Sequence, residues 1–322
     1  MDIFNRVVLI VSLMFYPLYG FADAKVATKI HRYVGQASYE ANAYWIETPS
    51  GIVLIDALML KSEARELVAV LKSVNKPLVA ILLTHPHVDH FGGIKTVVDA
   101  FGGNVKVVAT SATANAVTDV HTKALNSWAH ALGDDFEQKA FVPNMVVASG
   151  ESMELAGLHF EFWDLGRGEA DNNSVIRLVE QQALFTGDAT VAHGVFYVGE
   201  GQPDAAMAAL TQLGAKFPAD MRVYSGHYAA AKLDELVQQN KRQLRWVATH
   251  VQAVLLKEPL SSTNKILSKK LKSALINEVA AYYAEQGLAD YGLPHAVLAQ
   301  MNIDGFIAQY LATLKKLESQ PQ

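Results

Sequence analysis

The residues best suited to metal chemistry lie in one short stretch, Leu83-Thr-His-Pro-His-Val-Asp-His-Phe-Gly-Gly93. It begins where an apolar segment, typical of a buried strand, ends. Residues two apart on an extended backbone point to the same side, and a proline favours that extended form in the residue before it. Two imidazoles can therefore face one cation, and a neighbouring carboxylate and imidazole can face a second. The four candidate ligands are His85, His87, Asp89 and His90.

A closed metal site needs further ligands, and three candidates follow later apolar segments. Asp188 ends the stretch Leu184-Phe-Thr-Gly-Asp188, and His227 ends Val223-Tyr-Ser-Gly-His227. In both, the preceding glycine allows the backbone to approach its neighbours closely. Glu169 lies in Gly166-Arg-Gly-Glu-Ala-Asp-Asn-Asn173, a composition that also suits an ordinary surface turn. We therefore expect several strand ends to deliver ligands to one place.

The order of these motifs resembles that of the metallo-β-lactamase superfamily. His85-Pro-His-Val-Asp-His90 matches its HxHxDH signature, and the later Gly-Asp and Gly-His elements are similar to its bridging aspartate and last histidine. Asn42 and Asp56 resemble its N-terminal strand pair. The similarity covers about residues 30–227. The resemblance implies an αββα sandwich with a dinuclear metal site at one edge of the sheets.

Carried over by position, the resemblance implies a ligand set for two divalent ions. These are Zn²⁺ in most relatives, with Mn²⁺ or Fe²⁺ as alternatives. His85 and His87 would bind the first ion, Asp188 would bridge the two, and the second would be bound by Asp89, His90 and His227. Most relatives add a histidine from a GHT-like turn to the first ion. This sequence has Glu169 at that place.

Three explanations of Glu169 stay open. It can replace the histidine as an oxygen ligand, as in the secreted alkylsulfatase branch, although that branch is longer and has a different bridging carboxylate. The first site can instead be incomplete, so that one ion is bound. Another histidine, such as His193, can also complete it. As a ligand, Glu169 would add a third carboxylate charge, so the ions would polarise water less strongly and Mn²⁺ or Fe²⁺ would be better tolerated.

The resemblance implies a hydrolase. A water molecule bound to the two metal ions would ionise near neutral pH, and the resulting hydroxide would attack an ester or lactone-type substrate. Asp89 is the candidate catalytic residue, because it could orient the nucleophile and pass a proton to the leaving group. A β-lactam or a sulfate ester is an alternative substrate for the same site. A non-catalytic metal-binding protein and a mononuclear iron dioxygenase on the same fold are the alternatives from other classes.

Hydrophobic patterning places these residues in a mixed α/β domain, with sheets inside and helices outside. Segments with strand patterns are Ala43–Ile46, Ile52–Ile55, Leu78–Thr84, Val105–Ala109, Leu158–Leu165, Val175–Val179, Ala183–Phe185 and Arg222–Tyr224. Helical periodicity covers Ser62–Val74, Ile94–Phe101 and Ala205–Phe217, and Ser111–Phe136 is helical or irregular. Beyond Tyr228 no strand is predicted, and three helices are expected over Ala231–Lys257, Ser261–Gln286 and Leu293–Leu317.

The composition excludes several classes of site and partner. The chain has 322 residues, of which 51% are hydrophobic and 18% charged, which suits one large domain with an appended module. A net charge of −5 without a long basic run favours a small-molecule substrate over a nucleic-acid partner. The absence of cysteine excludes disulfides, thiolate metal ligands and a thiol nucleophile.

The N-terminal residues 1–24 have the pattern of a secretory signal peptide. Arg6 precedes an apolar run, and Phe21-Ala-Asp-Ala24 supplies small residues for cleavage after Ala24. This predicts a periplasmic or secreted protein without stable membrane insertion after cleavage; an uncleaved anchor is the alternative.

Residues 25–230 are the predicted catalytic domain and 231–322 a helical C-terminal extension. The amphipathic helices of the extension could cap the mouth of the active site, cover one sheet, or form a homo-oligomer interface.

Overall fold

The structure is a computed structural model that describes residues 26–200, 202–261 and 264–319. The predicted signal peptide lies outside these residues, so export stays a prediction. Among the helices of the described part, none is both long and apolar enough to cross a membrane.

Two six-stranded β-sheets form the centre of the described chain. The first contains, in spatial order, β1 (Lys29–Gly35), β2 (Ala41–Thr48), β3 (Gly51–Ile55), β4 (Leu78–Leu82), β5 (Lys106–Thr110) and β6 (Met145–Val147). The second contains, again in spatial order, β7 (Ser152–Leu155), β8 (Leu158–Gly166), β9 (Asn173–Leu178), β10 (Ala183–Gly187), β11 (Arg222–Ser225) and β12 (Ala231–Lys232).

Helices cover the outer faces of the sheets and form the C-terminal region. They are α1 (Lys61–Ser73), α2 (Val88–Phe91), α3 (Ile94–Ala100), α4 (Ser111–Leu132), α5 (Pro203–Lys216), α6 (Leu233–Lys257), α7 (Lys269–Glu285) and α8 (His295–Glu318). A short 3₁₀ turn, Gly133–Asp135, follows α4.

The C-terminal region differs from the sequence prediction at two places. The prediction of no strand there is wrong, because Ala231 and Lys232 pair with β11 before α6 begins. The helix predicted from Ser261 begins only at Lys269. Ser261 N–H instead donates to the Asn264 carbonyl in a turn, since serine and asparagine compete with helical hydrogen bonding.

Alternating side chains along the strands produce the layers. In β3, Val53 and Ile55 enter the core between the sheets, whereas Leu54 packs on the outer face beneath α1. The second sheet sends Phe160 and Phe185 into the same inter-sheet core. Helices α5 and α6 cover its outer face in a further cluster. The predicted αββα sandwich is thereby confirmed.

The strand directions bring four loops to one edge of the sandwich. Strands β8 and β10 are both antiparallel to β9 and so run the same way, and β11 is parallel to β10. In the first sheet, β4 is parallel to β3 and β5. The two sheets are joined at this edge, because Ser174 N–H donates to the Thr84 carbonyl at 3.1 Å and Asn42 N–H donates to the Gly226 carbonyl at 2.6 Å.

The C-terminal helices hold the segment that follows β10. Residues 191–198, here called the amide-held segment, have little regular secondary structure, so their backbone groups need other partners. Three buried side-chain amides supply them. Each amide both accepts from a backbone N–H and donates to a backbone carbonyl of the segment, at 2.7–3.0 Å. The three are Asn240 and Gln243 of α6 and Asn302 of α8.

Candidate metal centre

All seven predicted ligand residues lie together at the edge where β4, β8, β10 and β11 end. They form two groups, and the potential ligand atoms within each group are all within 4.8 Å of one another. One group contains His85, His87, Glu169 and Asp188, and the other contains Asp89, His90, Asp188 and His227. Because Asp188 belongs to both groups, it occupies the position expected of a bridging ligand.

The Asp188 carboxylate is surrounded by three imidazoles. Its Oδ2 lies 3.7 Å from His85 Nε2 and 3.2 Å from His227 Nε2. Its Oδ1 lies 3.4 Å from His90 Nε2. Burial would raise the pKa of Asp188, but the imidazoles of His227, His90 and His85 outweigh it and hold that pKa well below its usual range. Asp188 is therefore a carboxylate at neutral pH.

Glu169 lies inside the first group rather than in a solvated turn. Its side chain is 4% exposed, with Oε1 3.3 Å from His87 Nδ1 and Oε2 3.9 Å from His85 Nε2. Burial raises the pKa of Glu169 to about 7, although the His87 imidazole opposes that rise. His193, the alternative third ligand, has an exposed side chain and belongs to neither group.

A chain of buried hydrogen bonds orients the rings of His85 and His90, and so determines which nitrogen of each ring faces the cluster. The Thr84 hydroxyl donates to Asp56 Oδ2 at 2.9 Å and lies 2.9 Å from His85 Nδ1, so its oxygen accepts a hydrogen bond from His85 Nδ1–H. His90 Nδ1 is 2.9 Å from the same Asp56 oxygen. In both rings Nε2 therefore faces the cluster, and in the neutral form of each ring this nitrogen carries no proton and can bind a metal ion. Such outer partners orient metal-binding histidines.

Glu200 supplies a second carboxylate that contacts His87. It is not among the candidate ligands predicted from the sequence. Glu200 Oε1 lies 3.1 Å from His87 Nε2, on the opposite side of the ring from Glu169. Glu200 follows a glycine in a segment with the composition of a surface turn, so no local pattern indicates this contact.

Two glycines are required by the close packing around the cluster. Gly187 has φ +49°, and a Cβ there would lie 2.5 Å from Thr84 Oγ1. A Cβ at Gly226 would collide with Asp188 Oδ1 and with the His90 ring. The recurring order of strand, glycine and ligand in the sequence therefore has a steric cause.

The donor set fits divalent metal ions. Four buried atoms that face the cluster have no hydrogen-bond partner among the described residues: His85 Nε2, His90 Nε2, Glu169 Oε2 and Asp188 Oδ1. Leaving such atoms unpaired is costly, and a cation between them removes that cost. Burial, and then the neighbouring His90, keep the pKa of His85 well below its ordinary value, so its imidazole is neutral, as a ligand must be. Imidazole nitrogen with carboxylate oxygen suits Zn²⁺, Mn²⁺ and Fe²⁺.

The cluster lies at the base of a cleft of about 490 Å³. Cluster residues line one side of it. Much of the other side is apolar and comes from α4 and the C-terminal region, through Val120, Ala124, Leu293, Leu298 and Met301. Tyr291 also lines the cleft and packs edge-on against the His227 ring, with centroids 4.7 Å apart. The C-terminal region therefore lies beside the site, as one of the sequence-based alternatives expected, although no residue pattern indicates which of its side chains line the cleft.

Comparison with known proteins agrees with this geometry. A family model described as the metallo-beta-lactamase superfamily matches residues 39–227, more than half of the chain. An (R)-specific secondary-alkylsulfatase of a Pseudomonas species is 41% identical over 76 residues, which are 22% of this chain and 12% of that protein. A hydroxyacylglutathione hydrolase of Rhodobacter capsulatus is 28% identical over 189 residues, which are 58% of this chain and 62% of that protein. Each match thus spans less than two thirds of the relative's own length.

Among solved structures, a double mutant of the sec-alkyl sulfatase PisA1 has a similar fold. The TM-score is 0.60 at 20% sequence identity, over 92% of this chain and 52% of that chain. This likeness of fold therefore extends into the C-terminal helices.

Proposed function

The chain belongs to the metallo-β-lactamase superfamily, and we propose that it is a metal-dependent hydrolase of small esters or lactones. The observation that carries this proposal is the pair of ligand groups that share Asp188 at the base of an open cleft. Two groups around one shared carboxylate favour a dinuclear hydrolytic site over the mononuclear iron alternative. The cleft volume is within the range of about 300–1,000 Å³ that is usual for small-molecule sites.

In the proposed site, His85, His87 and Glu169 would hold one divalent ion and Asp89, His90 and His227 the other, with Asp188 between them. Zn²⁺ is our first choice, with Mn²⁺ or Fe²⁺ as alternatives because of the three carboxylates. When bound, such ions lower the pKa of water and polarise the substrate carbonyl.

Asp89 is placed to move a proton. It lines the cleft, and its Oδ2 is 3.4 Å from His227 Nε2 and 3.5 Å from His90 Nε2. Burial would raise the pKa of Asp89, but these imidazoles outweigh it and hold that pKa near 2. The carboxylate is therefore ionised at neutral pH. It is a weak base, but bound ions would acidify the attacking water enough for its proton to move to Asp89. Water oxygen bonds to the carbonyl carbon, the bond to the alcohol oxygen breaks, and Asp89 returns the proton to that oxygen.

A sulfate ester is the second candidate substrate. It is supported by the alkylsulfatase relative, by the likeness of fold that includes the C-terminal helices, and by the buried carboxylate Glu169 where most of the superfamily has a histidine. A metallo-beta-lactamase relative supports a β-lactam as well, but neither Glu169 nor the C-terminal helices add to that support.

We expect a substrate panel to separate these possibilities. Purified protein would be assayed with p-nitrophenyl acetate, a γ-lactone, p-nitrophenyl sulfate and a chromogenic cephalosporin, each with and without chelator, alongside oxygen-consumption measurements. The expected result is chelator-sensitive turnover of the carboxylic ester or lactone. Turnover of the sulfate ester alone would select the second candidate. Oxygen uptake, or no chelator-sensitive turnover of any member, would contradict hydrolysis.

A further inference from the structure

We propose that the cleft selects esters or lactones that carry a medium-length apolar chain, and that the wall formed by α4 and α8 binds this chain. This inference rests on the proposed hydrolase function and specifies its substrate class. The reacting carbonyl would lie at the ligand cluster, and the chain would extend along the opposite wall.

The two walls of the cleft differ sharply in chemistry. The base is a dense group of imidazoles and carboxylates. The wall from α4 and α8 contains four apolar side chains, Val120, Ala124, Leu298 and Met301, and two polar ones, Lys123 and Ser127. Val120 and Ala124 lie one helical turn apart on α4, so they present one apolar strip, with Lys123 and Ser127 beside it. On α8, Leu298 and Met301 are three residues apart and so also lie about one turn from each other.

Met301 is the most informative member of this wall. It lines the cleft and is 37% exposed, so its thioether can contact a ligand and is not buried in the core. Leu298 beside it is 3% exposed and packs into the C-terminal core, which fixes the position of the wall. An unbranched methionine side chain adapts to flexible apolar ligands.

The wall is also held rigidly against the cluster. Asn302, next to Met301 on α8, accepts from Val198 N–H at 2.7 Å and donates to the Phe196 carbonyl at 3.0 Å. Phe196 itself lines the cleft. The chain-binding wall and the amide-held segment therefore form one unit, and the distance from the cluster to the wall is set by the fold.

The test is a chain-length series in two arms, because the apolar chain can belong to the acyl or the alcohol part of the ester. One arm uses p-nitrophenyl acetate, butyrate and octanoate, and the other uses methyl, butyl and octyl acetate followed by pH-stat. Each fully buried methylene raises kcat/KM about four-fold. Allowing for partial burial, we expect at least about a ten-fold rise from the four-carbon to the eight-carbon chain in one arm.

Two variants test whether the wall causes the dependence of kcat/KM on chain length. Met301→Gln and Val120→Thr change polarity with little change in size, and each should lower the eight-carbon to four-carbon ratio about three-fold or more. Leu317→Gln is the matched control, since Leu317 is also on α8, is 61% exposed and does not line the cleft. Its ratio should equal that of the wild type.

The two proposals fail differently in this experiment. No turnover at any chain length in either arm would overturn the proposed hydrolysis of esters, and this inference with it. Turnover with a flat profile in both arms, or ratios unchanged in both wall variants, would overturn the apolar wall alone.

Discussion

Asp188→Asn is expected to abolish hydrolysis almost completely and to release metal from the protein. The substitution keeps the size of the side chain but removes the charge that faces His85, His90 and His227 at 3.2–3.7 Å. Since Asp188 is common to both ligand groups, both ion positions should weaken together. Losing a metal contribution of about 4 kcal/mol corresponds to roughly a 10³-fold fall in kcat/KM. Initial rates on the best ester of the panel and metal analysis of the same preparation provide the measurement.

Asp99→Asn is the matched control for this experiment. Asp99 is 60% exposed and pairs with Lys95 on the surface, so its loss should leave both rate and metal content at the wild-type level. If folded Asp188→Asn retained wild-type activity, Asp188 would not have the bridging role.

Asn302→Leu is expected to lower the free energy of unfolding by about 2–4 kcal/mol, because two backbone groups of the amide-held segment lose their partners inside the protein. Asn302 is 2% exposed, and water cannot replace the bonds that it makes to Val198 N–H and the Phe196 carbonyl. The measurement is equilibrium unfolding in urea. Since Phe196 lines the cleft, KM for the ester should also rise.

Gln300→Leu provides the comparison for Asn302→Leu. Gln300 is exposed on the same helix, α8, so the same change from amide to leucine should alter stability by less than about 0.5 kcal/mol. Equal stability of Asn302→Leu and the wild type would show that α8 does not hold the segment.

The sandwich could be predicted from the sequence because its signals are local. The uniformly apolar segment Ile52–Ile55 predicts a strand that is buried on both faces, and in the structure its residues enter two different cores. The convergence of the ligand residues could also be predicted. His85 and Asp188 both follow apolar strands directly, and strands of one direction end at one edge.

The contributions of the C-terminal region could not be predicted, because they depend on contacts between distant residues. Asn302 and Val198 are 104 positions apart, and a buried asparagine on an amphipathic helix has no local pattern that shows its partner. Glu200 reaches His87 across 113 positions from a segment with the composition of a surface turn. The strand at Ala231 and Lys232 is too short for an alternation pattern to show it.

The role of Glu169 as a metal ligand is tested most directly by metal content. Wild-type protein purified without added metal, Glu169→His and Glu169→Ala would be compared by inductively coupled plasma mass spectrometry. We expect about two divalent ions per chain in the wild type and in Glu169→His, and about one fewer in Glu169→Ala, because the first ion loses its third ligand. Unchanged metal content in a folded Glu169→Ala protein would contradict the assignment of Glu169 to the metal centre.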